Sequence, residues 1–191
     1  MNKLAIVAAA SALSAFSAGA FAATETFNVE PTHTYPRFEY SHVGYSNQQQ
    51  RFDKTRGKIV LDRAAQTGSV DVTIDATSVN TGYALFNQHI QAEDYFDTAK
   101  FPTITFKSTK VKFEGGKPVA VDGNLTIKGV TKPVTLTVTS FHSMPHPMLK
   151  KDAIGANATT KVKRSEFNMG KNVPYVSDEV SLTIAVEAIK E

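Results

Sequence analysis

Two groups of side chains in this 191-residue chain have types and spacing that could do chemistry. His142, Met144, His146 and Met148 recur at every second position. Imidazole and thioether groups together suit copper, so this segment predicts a copper site as one alternative. Glu93, Asp94 and Asp97 lie close together in the sequence. Paired carboxylates can act as acid and base, so a hydrolase of unknown substrate is a second alternative.

Against both alternatives, the usual catalytic signatures are missing from the sequence. It has no G-x-S-x-G elbow, no H-E-x-x-H motif, no glycine-rich phosphate loop and no cysteine. The three carboxylates fit a turn, where Asp is favoured. Residues 142–152 fit a long surface loop, because Pro145 and Pro147 oppose regular strand pairing. We therefore predict a protein that is not an enzyme and that has no metal and no resident cofactor.

Most of the chain alternates apolar and polar residues strictly, which places all apolar side chains of a segment on one face of a strand. The segments are Val70/Val72/Ile74, Ile104/Phe106, Leu125/Ile127, Val134/Leu136/Val138 and Val180/Leu182/Ile184/Val186. Near the N-terminus, Phe38, Tyr40 and His42 share one face in the same way. Many antiparallel strands with one apolar face must stack as two sheets or close into a barrel. The pattern predicts eight to ten strands, and a barrel of that size can hold one ligand.

Residues 81–96 break the alternation. Tyr83, Phe86 and Ile90 recur at spacings of three and four, which predicts a short amphipathic helix with Thr81 as its N-cap. A single helical insert in an all-β chain favours a lid or plug at the end of a barrel. A second polar stretch, residues 45–54, is predicted to be a loop that leads into a strand.

The first residues have the order of a secretory signal peptide. Lys3 precedes an apolar segment, and Ala20-Phe21-Ala22 is an A-x-A cleavage motif, so residues 1–22 are predicted to be removed between Ala22 and Ala23. One domain is expected over residues 23–191. The formal net charge is +3, with acids and bases interspersed, which gives no basic cluster for nucleic acid. We expect an exported protein that folds without disulfides.

Three stretches, taken together, resemble the YceI family of bacterial periplasmic proteins. The first runs from Asn87-Gln88-His89-Ile90 through Glu93-Asp94-Tyr95-Phe96-Asp97-Thr98-Ala99-Lys100-Phe101-Pro102 to Ser108. The second is Gly123-Asn124-Leu125-Thr126-Ile127-Lys128-Gly129-Val130-Thr131-Lys132-Pro133-Val134. A weaker third consists of His42-Val43-Gly44 and Arg164-Ser165-Glu166-Phe167-Asn168-Met169. They span nearly the whole of residues 23–191 in the order of the family.

The resemblance implies an antiparallel, lipocalin-like β-barrel with a short amphipathic helical insert and an elongated apolar cavity in the periplasm. It also implies binding of a long isoprenoid chain, such as polyprenyl phosphate or the tail of a ubiquinone-like quinone. Burying such a chain is favourable at about 25 cal/mol per Å² of apolar surface. Because isoprenoid lipids are located in membranes, the resemblance also implies that the protein contacts a membrane transiently. An exposed apolar barrel mouth would favour a homodimer.

Ten side chains are the candidate ligand contacts. The predicted lining comprises Phe38, Tyr40, Phe52, Phe86, Ile90, Phe96 and Phe106, and Tyr83 joins Phe86 and Ile90 on the helix that would gate the mouth. Each aromatic residue could equally be plain core, because small barrels also fill themselves with side chains. His42 and His89 are candidates for hydrogen bonds to a quinone carbonyl or a phosphate, and a structural role is the alternative for both.

Overall fold

The computed structural model describes residues 24–191, so the predicted signal peptide and its cleavage site lie outside the described residues. Within this range the chain forms eleven β-strands and one α-helix. The strands are β1 (Glu25–Val29), β2 (Tyr35–His42), β3 (Ser46–Phe52), β4 (Thr55–Asp62), β5 (Thr67–Asp75), β6 (Val79–Asn80), β7 (Thr103–Glu114), β8 (Lys117–Ile127), β9 (Val130–Pro145), β10 (Asp152–Lys163) and β11 (Glu179–Lys190). The helix α1 (Ala84–Ile90) lies between β6 and β7, and 3-10 turns occur at Ala76–Ser78 and Arg164–Phe167.

Eight of the described strands form a closed antiparallel ring. Their order is β1-β4-β5-β7-β8-β9-β10-β11, and pairing of β11 with β1 closes the ring. Because side chains alternate across each strand, one face of every strand points into the barrel. The predicted all-β, lipocalin-like barrel of about eight strands with a short helical insert is confirmed.

The edge of β11 is shared between two strands. Residues 188–190 pair with β1, whereas residues 181–185 pair with β2. The strand β2 continues into β3, which pairs with the two-residue strand β6. The wall of the barrel therefore forks at β11, with β1 and β4 on one branch and the β2-β3-β6 sheet on the other.

The core follows the alternation seen in the sequence. A large cluster of buried side chains, which includes Phe38, Phe52, Phe96 and Phe106, fills one part of the barrel. Gly123 on β8 permits the packing of Phe106, because a Cβ atom at Gly123 would lie 2.5 Å from the Phe106 ring. A side chain at this position would therefore displace the Phe106 ring.

The helix is shorter than predicted, and Thr81 is not its N-cap. The N-cap residue is Tyr83, whose backbone is extended. Thr81 instead donates its backbone N–H and its hydroxyl to Oδ1 of Asn87, at 2.7 Å each. The helix ends at Ile90, and tight turns follow up to Phe101.

Two segments predicted to be loops are partly strand, and residues 146–151 remain outside the strands. The segment expected to be a loop at residues 142–152 continues β9 to Pro145 and begins β10 at Asp152, and the two residues face each other. Beyond Thr137, β9 pairs only with β10 and no longer with β8. Its other edge is therefore free there, so proline is tolerated. Residues 46–52, in the predicted polar loop, form β3.

No helix among the described residues is long and apolar enough to cross a membrane.

Candidate ligand cavity

The barrel encloses a cavity of about 450 Å³. Seven of the eight ring strands contribute to its lining, all except β1. On β11 the lining residues are Val180, Leu182, Ile184 and Val186, which alternate with outward polar or small residues. From Val180 to Val186 the strand advances about 20 Å. The cavity is therefore elongated along the barrel and lined mostly by hydrocarbon.

A second cluster of apolar side chains packs at the far end of the barrel. Phe27 and Ala188 are fully buried there, together with Ile59, Leu61 and Ile154. Phe27 and Ala188 do not line the cavity. They lie where β1 pairs with β11, whereas Ile59, Leu61 and Ile154 also line the cavity, so this cluster closes the cavity at that end.

The opposite end is the mouth, where lining residues are also exposed to solvent. His42, His89, Lys171 and Asn172 are exposed and line the cavity, and half-buried Tyr95 lies among them. Nε2 of His89 lies 3.2 Å from the Tyr95 hydroxyl, and Asn172 donates to the same hydroxyl at 3.4 Å. The solvent-exposed polar side chains of the lining thus lie at the entrance, whereas Thr34, Arg37 and Thr55 are buried or half-buried polar residues of the lining.

Lys171 at the mouth forms an ion pair with Asp94. This hydrogen bond lowers the pKa of the Asp94 carboxyl and raises the pKa of Lys171. The pair links the 164–178 connection to the segment that follows α1. Lys128 strengthens the same junction, because its ammonium group donates to the backbone oxygens of Glu93 and Asn168.

Arg164 lies next to this junction, and the sequence analysis assigned it no functional role. Its side chain lines the cavity, and the residue is 9% exposed. The guanidinium group donates to four backbone oxygens, those of Met169, Lys171, Val176 and Ser177. Burial lowers the pKa of Arg164. The segment that contains Arg164 contributed to the family resemblance, but a role in organising the mouth follows only from the folded connection.

Nine of the ten candidate ligand contacts line the cavity. They are Phe38, Tyr40, His42, Phe52, Phe86, His89, Ile90, Phe96 and Phe106. The rings of Phe38, Phe52 and Phe96 pack against one another at centroid distances of 5.4–5.8 Å. Burial raises the pKa of the Tyr40 hydroxyl.

Tyr83, the tenth candidate, lies outside the cavity. It is 63% exposed and does not line the cavity, because it precedes the helix as its N-cap residue. Its predicted place beside Phe86 and Ile90 depended on helical spacing, and Tyr83 lies outside the helix. The structure therefore corrects this position in the predicted gate.

The three carboxylates lie in turns and pair with lysines. Glu93 and Asp97 are 3.0 and 3.5 Å from Lys100, and Asp94 pairs with Lys171. Asp97 is buried with a positive φ, and its backbone oxygen accepts from the N–H groups of Lys100 and Phe101. These contacts fit the turn interpretation of the carboxylates.

The His–Met segment lies at the end of the barrel away from the mouth. His142 and Met144 are part of β9, and Met148 lies in the turn before β10. Nδ1 of His146 accepts from the backbone N–H groups of Met148 and Leu149 at 3.2 Å. His146 thus stabilises the turn. In residues 24–191 the group of three His and acidic side chains with ligand atoms within 4.8 Å is Glu30, His33 and Glu187, outside this segment.

A closed antiparallel barrel around an apolar cavity that opens at one end places this chain among the lipocalin-like binding barrels. A family model described as YceI-like domain matches residues 27–188. Protein YceI of Escherichia coli O157:H7 is 37% identical over 178 residues, which are 92% of each chain. The chain therefore belongs to the YceI-like domain family.

Solved structures agree with this assignment. A YceI protein of Campylobacter jejuni has a TM-score of 0.69 and 31% identity, covering 79% of this chain and 90% of its own. BcnA of Burkholderia cenocepacia has a TM-score of 0.72 and 27% identity, covering 84% and 99%. A polyisoprenoid binding domain from Saccharophagus degradans, at 18% identity, covers 86% and 98% with a TM-score of 0.64. This last likeness shows the shared fold.

Proposed function

We propose that this protein binds a long isoprenoid lipid, either an isoprenoid quinone or a polyprenyl phosphate, and sequesters or carries it in the periplasm without catalysis. The observation that carries the proposal is the distribution of chemistry along the cavity. Aliphatic and aromatic groups line most of its length, and the exposed polar side chains of the lining, His42, His89, Lys171 and Asn172, are gathered at the mouth. Such a cavity suits a molecule with a long apolar tail and one small polar end.

The energetics of the tail support this ligand class. Polyisoprenoid tails are almost pure hydrocarbon, and each Å² moved out of water contributes about 25 cal/mol. Lining residues on β11 extend over about 20 Å, so several isoprene units can lie along the barrel axis. The Saccharophagus degradans domain, a polyisoprenoid binding domain, has the same fold, which adds support.

The mouth favours a neutral head over a pyrophosphate. Arg164, the buried cation, already donates to four backbone oxygens, and Lys171 is paired with Asp94. The groups left to contact a head are the His42 and His89 rings and the Tyr95 hydroxyl. Each of these side chains can donate a hydrogen bond to a quinone carbonyl. We therefore place the quinone first and the polyprenyl phosphate second.

Loading of such a ligand requires brief contact with a membrane. The segments that form the mouth carry exposed apolar side chains at Val43, Tyr45, Leu85 and Tyr175. Tyrosine suits the boundary between lipid and water. The signal-peptide pattern at residues 1–22 supports a periplasmic location. A homodimer that covers the same side chains is the alternative use of this rim.

The experiment is mass spectrometry of the native protein purified from the periplasm without detergent, together with analysis of its organic extract. One isoprenoid species at near-equal stoichiometry is expected. The spectrum also reports whether the protein is a monomer or a dimer. A protein that carries no lipid, or that carries only a metal ion, would overturn the proposal.

A matched pair of variants tests whether the lipid occupies the cavity. Leu136→Trp adds bulk to the lining of β9, whereas Thr137→Trp adds the same bulk to the exposed outer face of the next residue. The first substitution should reduce the lipid-bound fraction at least about tenfold, because overpacking competes with the ligand for the same volume. The second should leave it unchanged. Thermal unfolding of both variants checks that each is folded.

A further inference from the structure

A tyrosine hydroxyl group lies inside the cavity, below the mouth. Tyr40 on β2 is half-buried and lines the cavity. His42 at the mouth is two residues further along the same face of β2, so Tyr40 is attached about 7 Å deeper in the barrel. The Tyr40 ring stacks on the Phe38 ring, with the centroids 6.4 Å apart. Packing therefore holds the hydroxyl group near the upper end of an apolar cavity.

The proton of the Tyr40 hydroxyl has no acceptor in the described residues. Gln50 pairs with Phe38 across the β2-β3 hairpin, which makes it the diagonal neighbour of Tyr40 on the inner face. Gln50 is 5% exposed, and its Oε1 atom accepts no hydrogen bond from residues 24–191. Gln50 therefore approaches the hydroxyl through its Nε2 group, which is a donor. The hydroxyl proton remains available to a ligand.

A buried positive charge lies near the same hydroxyl group. Burial raises the pKa of Tyr40, and Gln50 and the charge of Arg164 both oppose this rise, so both groups lie close to the hydroxyl. Arg164 lines the cavity and forms no ion pair with a carboxylate of the described residues. Its bonds to backbone oxygens use four of the five guanidinium N–H groups and leave one on Nη2. A free hydroxyl beside an unpaired cation favours an oxygen atom of the ligand.

The number of donors at this depth fits a carbonyl group better than a phosphate group. A phosphate has several charged oxygens, and each needs strong donors when it leaves water. Tyr40 and Arg164 offer one neutral hydroxyl and one N–H, which suffice for a single carbonyl oxygen with its two lone pairs. A quinone ring carries two carbonyl groups on opposite sides. His42, nearer the solvent on the same strand face, is placed to contact the second one.

We propose that Tyr40 donates a hydrogen bond to one carbonyl oxygen of an isoprenoid quinone, the carbonyl next to the tail, and that the quinone ring lies inside the cavity below the rim. The other carbonyl faces His42 and His89 at the mouth. The tail extends from the level of Tyr40 toward the closed end of the barrel. Tyr40 is thus a specificity-determining residue for the head. This inference rests on the proposed isoprenoid function and adds the chemistry and the depth of the head.

The test is infrared spectroscopy of the folded protein loaded with a short-chain ubiquinone that is isotope-labelled at the carbonyl next to the tail. A hydrogen bond weakens the C=O bond, so this carbonyl should absorb at a lower frequency in the wild type than in a hydrocarbon solvent. In Tyr40→Phe, which removes only the hydroxyl group, the band should return toward the solvent position. Tyr45→Phe is the control, because Tyr45 is 89% exposed and does not line the cavity. An identical band in the wild type and Tyr40→Phe would overturn the assignment.

Affinity separates the contact with the head from the burial of the tail. Tyr40→Phe should weaken binding of the short-chain ubiquinone about fivefold, the usual effect of one neutral hydrogen bond. Squalene, an isoprenoid hydrocarbon without a polar head, should bind equally to the wild type, Tyr40→Phe and Tyr45→Phe. Thermal unfolding checks that each variant is folded. An equal loss of affinity for both ligands would mean that the substitution disturbs the whole cavity, and it would contradict a specific role for the hydroxyl.

The outcomes distinguish a failure of this inference from a failure of the proposed function. If neither the ubiquinone nor squalene binds, the isoprenoid proposal is wrong and the role of Tyr40 falls with it. If both bind and Tyr40→Phe changes neither the carbonyl band nor the affinity, only the role of Tyr40 is wrong. Binding of farnesyl phosphate without binding of the ubiquinone would keep the isoprenoid ligand and overturn the quinone head.

Discussion

Arg164 shows how a single buried cation can organise the entrance to a cavity. Its guanidinium group holds four backbone oxygens of the 169–177 segment, which includes Lys171 at the mouth. No carboxylate shares this role, because the acid nearest in the fold, Asp178, accepts from the backbone N–H and hydroxyl of Ser165. The shape of the mouth therefore depends on one side chain whose donors match main-chain acceptors.

Arg164→Lys should lower the free energy of unfolding by about 2–4 kcal/mol. An ammonium group has three donors and no fork, so at least one buried backbone oxygen loses its partner. Denaturant unfolding measures the change. Lys163→Gln, at the exposed neighbouring position, is the control and should stay near the wild type. An unchanged unfolding midpoint for Arg164→Lys would show that the four hydrogen bonds are dispensable.

Helix α1 depends on contacts outside itself. Seven residues are too few for a helix that is stable alone in water. Two contacts hold it: Ile90 is buried in the core, and the amide oxygen of Asn87 accepts from the N–H and hydroxyl of Thr81. The segment that leads into α1 is thus hydrogen-bonded to the helix at Asn87, next to Phe86 and His89 at the mouth.

Asn87→Ala should lower the free energy of unfolding by about 1 kcal/mol, because two hydrogen bonds to Thr81 are lost. Exchange of bound lipid should become faster, since the helix borders the mouth. Denaturant unfolding and the rate of transfer of a fluorescent lipid measure the two effects. Gln88→Ala is the control, as its exposed side chain makes no hydrogen bond to the described residues. If both variants behave alike, the Asn87 contact has no role in the gate.

At the level of elements, period-two alternation identified the strands whose inner faces are apolar. The same rule placed Phe38, Tyr40, His42 and Phe106 on inner faces, because lining and core share one pattern, whereas Phe86 and Ile90 were predicted from helical spacing. The alternation rule failed to predict strands where apolar and polar residues do not alternate. Residues 46–49 of β3 are exposed polar residues on a strand that has β2 as its main partner, and Pro145 lies on a free edge of β9. Arg164 was missed because its role arises only from contacts that form when the 164–177 segment has folded.

The seam of the barrel, where β1 pairs with β11 and closes the ring, is stabilised by ion pairs. Glu25 on β1 lies 2.8 Å from Lys190 on β11 and 2.5 Å from Arg63 in the β4–β5 turn. Hydrogen bonds from Lys190 and Arg63 lower the pKa of the Glu25 carboxyl. A lowered pKa means that the stabilisation is present above the unfolded-state pKa and is lost as the pH falls through the folded-state value.

Glu25→Gln should therefore lower the free energy of unfolding by about 1 kcal/mol at pH 7. The difference from the wild type should shrink between about pH 5 and pH 3 as Glu25 itself becomes protonated. Thermal unfolding across this pH range measures both effects. Glu114→Gln, at an exposed acid without an ion pair in residues 24–191, serves as the control. A difference that persists unchanged at pH 3 would contradict the ion-pair explanation.

The seam also determines the order in which the molecule can fold. Strands β7 to β10 each pair with the next strand in the chain, so these hairpins can form one after another. The ring closes only when residues 27–29 meet residues 188–190, a contact between distant ends of the described chain. Contacts between residues far apart in sequence form slowly. We therefore expect the enclosed cavity to form late in folding, only after the last strand has been made.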